Sequence, residues 1–87
     1  LNPADTAYLS SLGAALHVTG SHEKAQTVFS RLIQMAPKDP EAWINWGKAT
    51  LLIGDTSGYK GFDEALKLEP NHKEAKALRE KYGPSDN

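Results

Sequence analysis

Pro37-Lys38-Asp39-Pro40-Glu41-Ala42-Trp43-Ile44-Asn45-Trp46-Gly47 is the stretch on which the fold turns. A proline turn leads into a helix that opens with Asp39 as its cap and Pro40 at its first position. The aspartate can accept a bond from a helical N–H that has no partner inside the helix, and proline has no N–H to leave unpaired there. Trp43 and Trp46 stand three apart, on one side of that helix. Moved back by 34 residues, the stretch nearly reappears. Pro37 falls on Pro3, Asp39 on Asp5, Trp43 on Leu9, Trp46 on Leu12, Gly47 on Gly13 and, further on, Gly54 on Gly20. A fixed period of this length marks a helical repeat, so the expected fold is all-α, a superhelical solenoid of paired helices.

Outward from this stretch, the first helix is expected over Thr6 to Val18, capped by Asp5 and ended by Gly20. Leu9, Leu12, Ala15, Leu16 and Thr19 keep the rhythm of a buried stripe. The second helix starts at Ser21 and reaches about Met35, burying Ala25, Val28, Phe29, Leu32 and Ile33. The third runs from Pro40 to about Ile53. There Trp46 and Thr50 replace Leu12 and Leu16, a larger residue beside a smaller one, which keeps the local volume roughly balanced. Gly54 to Gly61 holds three glycines and has lost one residue relative to the first unit, so a tightened turn is expected before a helix over Tyr59–Leu68. A fifth helix follows Pro70, with Asn71 as cap and Glu74 three residues later. Its narrow stripe of Ala75, Leu78 and Tyr82 suits a terminal capping helix. The single domain thus divides into a repeat over about 6–39, a second over about 40–72, a capping helix over about 72–82 and a tail over 83–87. Leu1-Asn2-Pro3 matches the helix ends Met35-Ala36-Pro37 and Leu68-Glu69-Pro70. This reads as the tail of a preceding repeat, whose loss leaves Leu9 and Leu16 exposed or covered by another copy.

Composition narrows the function. The chain has 87 residues and a net charge of −1, so nothing draws it to nucleic acid or an acidic membrane. It has no cysteine, which removes disulfides and thiolate chemistry and is compatible with any compartment. No apolar run approaches the ~20 residues that insert into a bilayer. No serine–histidine–aspartate set, phosphate loop or pair of carboxylates on separate elements points to catalysis. His17, His22 and His72 have neither the spacing nor the carboxylate company of a metal site, and no cofactor is implied.

The two units resemble tetratricopeptide repeats. The first supplies Leu9, Leu12-Gly13, Leu16, Ala25, Phe29, Leu32 and Pro37; the second supplies Trp43, Trp46-Gly47, Thr50, Gly58, Phe62, Ala65 and Pro70. Leu16 and Thr50 depart from the aromatic of that pattern, and Leu32 from its alanine. The resemblance implies a protein-binding scaffold whose groove, lined by the first helix of each pair, holds a peptide or helix of a partner. Carried over by position, the groove residues are Ala7, Ser10, Ala14 and His17, then Glu41, Ile44, Asn45, Lys48 and Leu51, with Lys73 and Lys76 at the far edge. Members that grip acidic tails use a basic residue and an asparagine where Ser10 and Ala14 stand, so only Asn45 matches that clamp. Trp43 and Trp46 fall on core positions. For Ile44 and Leu51, partner contact and burial by a neighbouring helix both remain open. The alternative role is structural: a homo-oligomer, or contact with further repeats through the repeat ends.

Overall fold

The structure, a computed structural model, describes residues 5–84. It forms α1 (Thr6–Val18), α2 (His22–Met35), α3 (Pro40–Leu52), a 3-10 turn (Thr56–Gly58), α4 (Tyr59–Leu68) and α5 (Lys73–Tyr82), with no strand among the described residues. The stretch Leu1-Asn2-Pro3 and residues 85–87 of the expected tail lie outside the described residues.

The caps explain the starts. The Asp5 side chain accepts from the Ala7 N–H at 2.8 Å, and Asp39 from the Glu41 N–H at 3.0 Å, each satisfying a donor with no helical partner. Asp55 does the same for the 3-10 turn, taking both the Ser57 N–H and hydroxyl; these bonds hold its carboxyl below the usual 3.8. The fifth cap differs from expectation. His72 caps α5 in place of Asn71, its Nδ1 accepting from the Ala75 N–H at 3.2 Å.

The first two helix pairs turn alike. Gly20 (φ 87°) and Gly54 (φ 89°) take the left-handed conformation that glycine adopts cheaply. Around them Ser21 N–H bonds Leu16 C=O and Asp55 N–H bonds Thr50 C=O, closing α1 and α3 in the same way one period apart.

α3 is the shared element. With α1 and α2 it builds one core cluster, where Ala42 and Ala49 meet Leu9, Ala25, Phe29 and Leu32. With α4 and α5 it builds the other, where Ile44 meets Phe62, Ala65 and Ala75. The tryptophans sit between these clusters, each with its N–H satisfied: Trp46 donates to the Ser30 hydroxyl at 3.0 Å and Trp43 to the Pro37 carbonyl at 2.8 Å. Thr50 is buried as the volume argument requires, but its hydroxyl has no hydrogen-bond partner among the described residues.

The expected exposure of Leu9 and Leu16 needs correction. Leu9 is buried and Leu16 packs partly against the same cluster, because both point at α2. The open side of α1 carries Tyr8, Ala15 and half-buried Leu12.

Glycines set the spacing within each pair. A Cβ on Gly13 would run into the Phe29 ring, and one on Gly47 would meet the Gly58 carbonyl at 2.7 Å and the Phe62 ring at 2.9 Å. Gly61 lies under the Trp43 carbonyl, 2.5 Å from where its Cβ would be. In the Gly47→Ala variant, crowding of backbone by backbone outweighs the ~1 kcal/mol gained in helix propensity, for a net loss of about 1–2 kcal/mol. Urea unfolding measures it; a gain in stability would show that α3 and α4 can part at no cost.

Candidate partner-binding face

The expected groove residues scatter over more than one environment. On α1, Ala7 and Ala14 are exposed, and Ser10 and His17 half-buried. On α3, Glu41 is exposed while Asn45, Lys48 and Leu51 are half-buried. Ile44 is fully buried, which overturns its place on the open face. It does lie about 100° round the helix from Trp43, as a one-residue step requires. That direction, however, is where α5 packs, and Ala75 and Phe62 cover the side chain.

α5 also displaces the expected basic edge. Its contact with α3 runs through Glu74, which meets Lys48 at 2.6 Å, and through the cap residue His72, which meets Glu41 at 2.8 Å. Arg79 points the other way, to Asp63 of α4 and over the Tyr59 ring. Lys73 is one step (about 100°) from Glu74, and Lys76 is three before Arg79, so neither shares the α3 side of α5. Both are exposed beyond it. Glu41 and Lys48 therefore brace α5 against α3 through ion pairs that remain in contact with solvent.

What the structure does bring together is a hollow of about 260 Å³ at the far ends of α1, α3 and α5, lined by His17, Lys48, Leu51, Leu52 and Tyr82. Its rim is apolar. Of its lining residues Leu52 is 52% exposed and Tyr82 44%; Val18, which follows His17 on α1 without lining the hollow, is 82% exposed. Leu52 also lines a second hollow with Ile53 and the turn from Gly20 to Lys24, so it stands as a ridge between the two. Of the expected residues, His17, Lys48 and Leu51 meet here. Val18, Leu52 and Tyr82 were missed, although a signal existed for two of them. Val18 and Leu52 are one period apart, each an apolar residue closing its helix just before a glycine turn.

The histidines are closer than their spacing suggested: the rings of His17 and His22 meet edge-on with centroids 5.2 Å apart. Among the described residues no group of three or more histidine, aspartate or glutamate side chains could hold a metal ion. Nor is any described helix long and apolar enough to cross a membrane.

A family model for the tetratricopeptide repeat matches residues 6–49, half of the chain, taking in α1, α2 and most of α3. The chain belongs to the tetratricopeptide repeat family. Tetratricopeptide repeats mediate protein–protein interaction and are not catalytic, so the partners this family implies are proteins. No curated protein matches the chain.

Two outcomes follow for this tetratricopeptide repeat. Ile44→Ala removes a core side chain, and should cost about 2–5 kcal/mol in chemical unfolding; a cost below ~0.5 kcal/mol would return Ile44 to the open face. The second concerns pH. The hydrogen bond to Glu41 raises the His72 pKa above 6.5, against desolvation, with further help from the charges of Glu41, Glu69 and Glu74. A raised folded pKa adds stability that is full below the unfolded value and lost as pH rises through the folded one. The Nδ1 cap works in the opposite sense, since it needs that nitrogen unprotonated. Wild-type stability should therefore fall as pH rises above 6.5, whereas Glu41→Gln, which keeps the cap and loses the carboxylate, should show a smaller fall or none. Equal slopes in urea titrations of the two proteins would mean that Glu41 does not control His72.

Proposed function

We propose that this tetratricopeptide repeat is a non-catalytic protein-interaction scaffold that seats a peptide or helix of a partner along the face of α1, α3 and α5. The observation that carries the reading is the exposed apolar pair Leu52 and Tyr82, which with Leu51 lines the hollow between those helices. At about 260 Å³ the hollow is smaller than the roughly 300–1,000 Å³ of a small-molecule site, and suits one apolar anchor side chain. His17 lines the hollow as a polar contact beside the apolar side chains, while Lys48 is engaged with Glu74. Ala7, Ser10, Ala14 and Asn45 extend the face, and their small size leaves room for a backbone to lie close. A net charge of −1 supports a protein partner over nucleic acid.

Leu52→Glu tests the reading. The residue is half exposed, so the substitution should leave unfolding within about 0.5 kcal/mol of wild type. Binding to a partner captured with the intact chain should weaken by about 2 kcal/mol if Leu52 is a central contact. Unchanged affinity for that partner, with the fold intact, would move the site away from the ridge.

A further inference from the structure

The turn between α1 and α2 brings two imidazoles together from different helices. His17 lies in the last turn of α1, and His22 is the first residue of α2. Between them Gly20 takes its positive φ. Its N–H bonds the His17 carbonyl at 3.1 Å, and the Ser21 N–H bonds the Leu16 carbonyl at 2.8 Å. The step from one histidine to the other is therefore fixed by main-chain bonds, not by the rings themselves. Those rings stand with centroids 5.2 Å apart and planes inclined at 63°. A tetrahedral zinc ion holds imidazole nitrogens at about 2.0–2.1 Å, and two rings bound that way have centroids about 5 Å apart, whatever the inclination of their planes. One ring nitrogen is also unspent. Nδ1 of His22 is shielded from solvent and has no hydrogen-bond partner among the described residues. In the tautomer that carries its proton on Nε2, this atom presents a lone pair with nothing to meet. A buried polar atom of that kind calls for an ordered water or an ion.

We propose that His17 and His22 together hold one divalent transition-metal ion, of the zinc, nickel or copper class that imidazole suits. Two protein ligands leave the remaining positions to water, in keeping with the lack of a third histidine, aspartate or glutamate ligand among the described residues. The surroundings leave the choice to the ligands. The C-terminal end of α1 favours a cation and the N-terminal end of α2 disfavours one, so the two helix dipoles offset. Glu23 and Lys24 border the hollow on the His22 side; Lys48, already paired with Glu74, borders the one on the His17 side. Bound there, the ion would tie α1 to α2 at their turn.

Isothermal titration calorimetry of the whole chain with zinc chloride, at about pH 7.5 where imidazole is neutral, tests this. One site is expected, and with half the ligands of a structural zinc site its Kd should lie at about 1–100 µM. His17→Ala and His22→Ala, both at half-buried positions, should each weaken binding at least about tenfold, with circular dichroism unchanged. His72→Asn, which removes the remaining histidine and keeps a cap acceptor, should leave the Kd alone. In the wild type, zinc should shift the ring nitrogen resonances of His17 and His22 together and leave those of His72 in place, a readout that needs no variant. No binding up to about 1 mM zinc overturns the proposal. So does binding that survives His22→Ala, or a shift of one ring alone, since either marks an adventitious ion only, on a single surface histidine.

Discussion

The backbones of α3 and α4 touch, and most of the second half of the molecule follows from that contact. Gly47 faces the Gly58 carbonyl and Gly61 lies under the Trp43 carbonyl, so the two main chains come close beside the side chains that pack between the helices. Phe62 then fits into the space beside Gly47 as Phe29 does beside Gly13. The lost residue between the repeats is absorbed in the same place. The 3-10 turn over Thr56–Gly58 shortens the path into α4, and Asp55 secures it by bonding the Ser57 N–H and hydroxyl. Only a second glycine-rich surface could follow so tight a turn without side chains being forced apart.

Much of this was legible before any coordinates. Caps and glycines act locally, so Asp5, Asp39, Gly20 and Gly54 declare the helix ends by their own chemistry, and the period declares the pairing. The shortened stretch after Gly54 likewise announced a turn there. What was not legible is radial. Helical spacing places Ile44 about 100° from Trp43, but it does not say which neighbour occupies that direction. α5 does, so a residue assigned to the open face is core. The same helix misled the reading of Lys73 and Lys76. Its rotation is fixed by Ala75 entering the second core cluster and by Glu74 meeting Lys48, long-range contacts that no local pattern records. The cap at His72 was missed because imidazole is a less common acceptor than the neighbouring asparagine side chain.

The binding face shows a similar division. Polar groove positions inferred from the family, Glu41 and Lys48, are occupied with holding α5, and the apolar positions that remain open come from the helix ends. Val18 and Leu52 are the last residues of α1 and α3, where the next turn leaves and both side chains stay exposed. Tyr82 reaches the same spot from the end of α5 while its ring also lies 6.5 Å from that of Phe62, so the rim is tied to the second core cluster. The ridge is thereby anchored on rigid elements rather than on loops.

The helices contact one another chiefly in chain order: α1 with α2, α2 with α3, α3 with α4, and α4 with α5. Among the described residues the first and last helices make no substantial contact, and the longest axis measures 47 Å. Each step of assembly therefore closes only a short loop, whose entropy cost is small. Chains built from such local contacts search quickly and fold in about microseconds to milliseconds. In such a scaffold α1 and α3 are positioned by the helix beside them in the chain, and the ridge is complete once α5 has docked on both α4 and α3.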